Sequence, residues 1–183
     1  MSLENKGIKR PLLLHSSVKK KNFDVFFTYQ LSKQYFALQF DVTKRDDTSW
    51  MIPAPKTFDL WNYDVVEIFL QWRQNKDDVQ APYFEFELCP DGQQLGLIIF
   101  RPRLSAASLW NYTFTSQIQL ENNQWNCQMT IPWPSLPNIA ETGILYGGAF
   151  SCLGSGHSRN YFSTNPNSQE RPDFHRPELF IPL

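Results

Sequence analysis

Gln124-Trp125-Asn126-Cys127-Gln128-Met129-Thr130-Ile131 puts an apolar residue at every second position with a polar one between. A period of two sends successive side chains to opposite faces of a pleated sheet, so Trp125, Cys127, Met129 and Ile131 mark one buried face. The same alternation runs through Phe36, Leu38, Phe40 and Val42, through Phe84, Phe86 and Leu88, and through Tyr112, Phe114, Ser116, Ile118 and Leu120. Phe23–Leu31, Val65–Trp72, Leu95–Phe100, Ile144–Cys152 and Leu179–Leu183 complete a set of about nine or ten expected strands. Asn122-Asn123, Ser32-Lys33-Gln34 and Pro90-Asp91-Gly92 separate pairs of them and read as hairpin turns. Short antiparallel strands with one apolar face each bury those faces by packing sheet on sheet. The expected fold is therefore all-β: a single-domain antiparallel β-sandwich, jelly-roll-like, over residues 1–183, with residues 1–20 as a loosely attached N-terminal segment.

Composition agrees and narrows the function. The 183 residues carry 17 basic and 18 acidic side chains, a net charge of −1, which argues against a sequence-independent grip on nucleic acid. No apolar run approaches the roughly 18 residues that cross hydrocarbon, so membrane insertion is not expected. Six Trp, 7 Tyr and 15 Phe suit pleated surfaces, and 13 Pro suit helices badly. Cys89, Cys127 and Cys152 fit neither a metal-site spacing nor a disulfide scaffold, which favours a reducing, cytoplasmic setting. Leu12-Leu13-Leu14 is too short for the apolar centre of a signal peptide. Lys19-Lys20-Lys21, with Lys9-Arg10, reads as a solvated turn.

Two stretches do not alternate, Thr43–Asp59 and Gly154–Pro177, and loops of that length in a compact domain tend to carry function. His15, His157 and His175 accompany no nucleophile elbow or reactive-cysteine signature, so nucleophilic catalysis is not expected. Glu85 and Glu87 share a strand face, and Glu67 sits in phase with Tyr63, Val65, Phe69 and Gln71. The ordinary fate of such glutamates is a solvated sheet face; a glycosidase would instead set them across the scissile bond. Asp46-Asp47 and Asp77-Asp78 lack the spacing of a calcium loop, and no metal site is expected from them. A haem would need axial ligands such as Met51 with His157 or His175. Trp50, Trp61, Trp110, Tyr63, Tyr161 and Phe174 stand in turn or loop sequence beside polar residues. That mixture suits a sugar, whose C–H faces stack on aromatic rings while acids, amides and guanidinium groups bond its hydroxyls.

Three segments in order carry a resemblance: Asp59-Leu60-Trp61-Asn62-Tyr63-Asp64-Val65-Val66-Glu67-Ile68-Phe69-Leu70, then Tyr83-Phe84-Glu85-Phe86-Glu87-Leu88-Cys89-Pro90-Asp91-Gly92, then Arg171-Pro172-Asp173-Phe174-His175-Arg176-Pro177-Glu178-Leu179-Phe180. From about residue 20 onward the chain resembles the DOMON-like superfamily, in particular carbohydrate-binding module family 9 and related bacterial DOMON-like proteins. The resemblance implies a β-sandwich and ligand binding, with sugar the leading ligand. It implies that Trp61 matches the aromatic beside which those modules hold a sugar ring, that Glu67 and Glu85 lie on adjoining strands, and that Asp173, Phe174 and His175 form a closing motif that contacts ligand or anchors a loop. Phe174, Tyr161 or Trp110 would complete the aromatic pair. Calcium enters by resemblance alone, and no cofactor is otherwise expected.

The expectation is a non-catalytic domain binding a carbohydrate or related small polar ligand through Trp61, Tyr63, Glu67, Glu85, Arg101, Tyr161, Asp173, Phe174 and His175. The alternatives are a glycoside-acting enzyme using Glu67, Glu85 and Glu87, and a haem-binding domain.

Overall fold

The computed structural model describes residues 9–15, 21–108, 114–136, 143–166 and 172–183. Lys19, Lys20, Trp110, Tyr112 and Arg171, all named above, lie outside them. The strands are β1 (Arg10–Pro11), β2 (Leu13–Leu14), β3 (Phe23–Leu31), β4 (Tyr35–Lys44), β5 (Val65–Arg73), β6 (Tyr83–Leu88), β7 (Gln94–Arg101), β8 (Ser105–Ser108), β9 (Thr115–Leu120), β10 (Gln124–Pro132), β11 (Ile144–Leu153), β12 (Asn160–Ser163) and β13 (Ile181–Pro182). They form two antiparallel sheets, a smaller one in the order β1-β3-β4-β10-β9 and a larger one in the order β2-β12-β11-β5-β6-β7-β8, with β13 paired to β11. The expected all-β antiparallel sandwich is what the structure shows. Phe36, Phe40, Trp125 and Met129 of the smaller sheet meet Val66, Ile68, Phe84 and Phe86 of the larger one in a single apolar core. The three expected hairpin turns fall between β9 and β10, β3 and β4, and β6 and β7.

The larger sheet departs from the alternation rule. Every residue of β6 is buried, and so is every residue of β5 except Trp72, which is half-buried. Val66, Ile68 and Leu70 face the core; Val65 and Phe69, with Tyr83, Cys89, Leu97, Ile99, Tyr146 and Phe150, form a second apolar cluster on the outer side. Leu60, Phe174 and Phe180, from segments before β5 and after β12, pack on that outer cluster. The expectation that Glu85 and Glu87 lie on a solvated face is thereby corrected. Glu67, Glu85 and Glu87 are 2%, 4% and 0% exposed, because the turn at Leu60 and the chain around Phe174 and Phe180 cover the face that their spacing marked as outward.

Other differences follow from length. The strands β1, β2, β8 and β12 have two to four residues, too few to show a period of two. The strand expected at Leu179–Leu183 is a 3-10 turn at Pro177–Leu179 followed by the two-residue β13, since Pro177 and Pro182 limit ladder donors. Within the segment read as loosely attached, β1 pairs with β3 and β2 with β12, while Leu12 between them is buried in the core. The segment thus crosses from one sheet to the other.

This strap gives a direct test by urea unfolding. Leu12→Ala is expected to lower stability by about 2–5 kcal/mol, the ordinary cost of emptying a buried leucine site. Leu13→Ala, at a side chain 50% exposed, should stay within about 0.5 kcal/mol. Equal small effects would mean that the segment is not docked.

Candidate functional site

The outer layer is not closed everywhere. Between the loops lies a cavity of about 730 Å³, open to solvent and lined by 24 residues, so it is large enough for a sugar-sized ligand. Its floor is built by register. Phe69 of β5 stands opposite Glu85 of β6, and Glu85 opposite Leu97 of β7, so the three side chains share one face across three neighbouring strands. Two positions earlier on β5, Glu67 shares that face and pairs across the ladder with Glu87. Cys152 of β11 reaches Glu67 from the other side, its Sγ 3.7 Å from Oε1.

Of the residues singled out from the sequence, Trp61, Glu67, Glu85, Arg101, Tyr161, Asp173, Phe174 and His175 line this one cavity. Tyr63 does not. It follows the 3-10 turn at Leu60–Asn62, its N–H bonded to Leu60 O, and packs half-buried against the outer apolar cluster. Trp50 also lies elsewhere, edge-on to Trp125 at the end of the sandwich with Nε1 donating to Glu121 O. Met51 and His175, weighed as haem ligands, both line the cavity, while His157 is exposed in the 3-10 turn at Gly156–Ser158. Glu87 lies beside Glu85 without joining the lining.

Trp61 stands at the mouth, 42% exposed and edge-on to Phe58, with 6.1 Å between ring centroids. Its backbone is fixed from behind by Arg159, which lies half-buried on the lining. Arg159 Nη2 donates to both Trp61 O and Tyr63 O at 2.7 Å, Nη1 donates to Gly154 O, and the guanidinium lies 5.7 Å from the Tyr161 ring centre. Asp64 completes the frame. Its buried carboxylate accepts the N–H of Met51 at 2.8 Å and of Gly154 at 2.6 Å, tying the loop before β5 to the loop after β11. Gly154 has φ +79°, a backbone state that a side chain disfavours, and so turns the chain toward Arg159. Phe174 stacks on Phe150 at 4.6 Å and meets Tyr161 edge-on, which seats the opposite wall.

The floor is electrostatically unusual. Glu85 Oε2 and both carboxyl oxygens of Glu87 are buried without a donor among the described residues. The Glu85 and Glu87 carboxyls reach each other, and such a contact is a hydrogen bond only when one of the two holds a proton. Burial raises the Glu67 pKa to about 8, helped by the negative charge of Glu85 and opposed by the Arg159 guanidinium. Burial raises Glu85 to about 7 and drives Glu87 well upward, with Glu67 and Glu85 adding to the latter. At the rim Arg103 pairs with Asp173. His175 Nδ1 and Tyr83 Oη are hydrogen-bonded at 2.6 Å, and burial, with Arg103 nearby, lowers the imidazole pKa to about 4, so His175 is neutral at pH 7.

Arg159, Arg103 and Phe58 were not anticipated. Arg159 sits in Gly154-Ser155-Gly156-His157-Ser158-Arg159, where Gly154 and Gly156 both take positive φ; two glycines so close signal a tight turn that could have drawn attention to its neighbours. Phe58 precedes Trp61 by three residues, a spacing that in a non-alternating stretch carries no period. Among the described residues no group of three or more His, Cys, Asp or Glu is placed to hold a metal ion.

The cavity lies on the outer face of the larger sheet of a two-sheet sandwich, and solved structures share that architecture. A candidate carbohydrate-binding protein from Bacteroides uniformis superposes with a TM-score of 0.73 at 18% identity, covering 96% of this chain and 85% of that one. A family 9 carbohydrate-binding module from Caldicellulosiruptor kristjanssonii in complex with glucose gives 0.63 at 12% identity, covering 100% and 85%. At such identities the likeness is one of fold. No family model matches the chain. In sequence it is similar to the UPF0462 protein C4orf33 homolog of Mus musculus, 30% identical over 139 residues, which are 72% of this chain and 66% of that protein. It is also 30% identical over 142 residues to the UPF0462 protein C4orf33 of Homo sapiens, covering 70% and 65%. The chain thus spans just under two thirds of the length of these relatives.

The buried carboxyls predict a pH dependence of stability. An acid whose pKa is raised on folding holds more protons in the native than in the unfolded state, so its contribution is fully present below the unfolded value near 4.5 and is lost as pH rises through the folded one. His175 acts oppositely between about pH 4 and 6.5, which leaves pH 6.5–8.5 as the clean window. Across it stability should fall by on the order of 2 kcal/mol, a melting-temperature drop of about 5 °C. Glu67→Gln combined with Glu85→Gln should flatten that slope; an unchanged slope in the variant would place its origin elsewhere.

Proposed function

We propose that the cavity binds carbohydrate without turning it over. The observation that carries this reading is an indole held out at the mouth of a cavity whose floor offers buried carboxyl acceptors. A pyranose needs an apolar plane for its C–H face and fixed polar groups around its edge. Trp61, with Phe58 beside it, supplies the plane. Glu67, Glu85, Arg101 and His175 supply hydroxyl partners, and Phe174 and Tyr161 form the opposite wall. The fold shared with a family 9 module that holds glucose, together with the DOMON-like resemblance of the sequence, supports the same reading. An ordered platform costs less entropy on binding than a mobile one, which gives Arg159 its part: it holds Trp61 through the backbone.

One observation favours a second reading. Carboxyls with pKa values raised to about 7 and about 8 in one cavity are what a general acid requires. Glycosidase action would then use Glu67 and Glu85 across a glycosidic bond.

The two readings separate in one set of measurements. Under the binding reading, Trp61→Ala weakens binding to the glycans retained by the wild type on an array by at least about tenfold, roughly 1.4 kcal/mol, and aryl-glycosides are not cleaved. Turnover of an aryl-glycoside that Glu85→Gln abolishes would replace binding by catalysis. Array binding undiminished in Trp61→Ala would remove the role given to the indole.

A further inference from the structure

Glu67, Glu85 and Glu87 bring three carboxyls into one apolar layer, and among the described residues none of them makes an ion pair. Glu85 lines the cavity with Oε2 buried and without a donor. A buried acceptor left bare is costly, and native structures seldom keep one unless something outside the chain completes it. A bound partner that brings hydrogen-bond donors to the floor would complete Glu85, in place of the proton that it and Glu87 can share.

The sign of the donor group follows from the surrounding charges. Arg103 is engaged by Asp173 at the rim, and Arg159 gives hydrogen bonds to three backbone carbonyls and to the Cys152 side chain, with its charge acting on Glu67. Arg101 is exposed at the edge of the cavity. Among the described lining residues, an anionic ligand would thus find Arg101 as the guanidinium without a carboxylate or carbonyl partner, and Glu67 and Glu85 at depth with Glu87 beside them. A neutral hydroxyl shares a hydrogen bond with a protonated carboxyl and leaves it protonated. An ammonium has three donors and a positive charge, so it stabilises the ionised carboxylate that burial otherwise disfavours. The aromatic lining of Trp61, Phe58, Phe174 and Tyr161 suits a cation equally, since ring faces attract positive charge.

We propose that the floor beside Glu85 and Glu67 is an ammonium subsite, so that the preferred ligand is an amino sugar with its free amine directed to these carboxyls and its ring against Trp61. The inference rests on the sugar-binding reading for the ring and on the bare acceptors for the amine. Other groups facing the subsite are Glu87 on β6, Cys152 on β11, Arg159 on the following loop, Asp59 before β5, and Tyr83, His175, Arg103 and Asp173 toward the rim. Arg159 is the cation among them whose charge acts on Glu67, and Glu67 still rises toward neutrality, so burial outweighs it there. An arriving ammonium draws the acids into the ionised form and releases protons to solvent.

Calorimetry with the wild-type chain tests this using glucosamine, N-acetylglucosamine, glucose, glucuronate and cyclohexylammonium at pH 6.5. Glucosamine should bind about tenfold more tightly than glucose or N-acetylglucosamine, the step from a neutral to a charge-assisted contact. Cyclohexylammonium, charged throughout, should bind more tightly at pH 8 than at pH 6. In Glu85→Gln, checked for folding by its melting transition, the ratio of glucosamine to glucose affinity should fall toward one. Glucose binding as well as glucosamine would overturn the ammonium subsite and leave sugar binding standing; glucuronate binding most tightly would do the same and reverse the sign. Cyclohexylammonium binding alone would keep the subsite and overturn the sugar. Binding by none of the five overturns both.

Discussion

Three carboxyl groups occupy an apolar layer that leaves almost none of their surface exposed. The outer face of the larger sheet carries Glu67, Glu85 and Glu87 between Val65, Phe69, Tyr83 and Leu97, and chain from both flanking loops packs over it. Ionising all three there would set like charges side by side in a poorly polarisable medium, so the layer holds protons at neutral pH. This constraint sets the character of the cavity. Its deepest surface is at once acceptor-rich, nearly uncharged and responsive to whatever enters.

The mouth obeys a different constraint. Asp64 joins the two loops that frame it through two backbone N–H groups, and Arg159 joins the same loops through three backbone carbonyls. These bonds hold the backbone at Trp61, while the ring itself touches Phe58 at the mouth. The exposed indole can then be a surface for a ligand, because its backbone position does not depend on packing of the ring itself. Phe174 is seated in the opposite manner, by stacking on Phe150, so one wall is held by hydrogen bonds and the other by apolar contact.

Legibility in the sequence followed the same division. The inner face could be read from Phe36, Phe40, Trp125 and Met129, because a strand with one buried side writes that side at every second position. The outer face could not. Tyr83-x-Glu85-x-Glu87 spells a solvated side, and what covers it comes from residues such as Phe174 and Phe180, about ninety positions away and in no periodic pattern. Much of the cavity lining was nonetheless legible as Trp61, Tyr161 and Phe174, because aromatics in non-alternating sequence have no sheet phase to explain them. Tyr63, two residues from Trp61, carries the same sequence mark but lies outside the cavity lining, past a 3-10 turn and against the outer cluster. Arg159 carried no such mark, since a guanidinium that binds carbonyls leaves no partner visible in composition.

The retention of three buried acids needs a cause beyond folding. Replacing buried charged or polar groups by apolar ones of similar volume is often neutral or stabilising, and a β-branched or aromatic residue at 67, 85 or 87 would suit both the strand and the surrounding cluster. Their neighbours in the outer cluster, among them Phe69, Tyr83, Leu95, Leu97 and Cys152, are already apolar or aromatic. A chain that keeps glutamates where Val, Ile or Phe would hold the fold at least as well carries a destabilising feature at the floor of its large cavity. Proteins accept such features at sites that act on something. That reasoning separates the acids from the rest of the layer: the apolar residues account for why the loops stay down, whereas Glu67 and Glu85 face the open cavity and Glu87 lies beside them, and none of the three is needed to hold the loops.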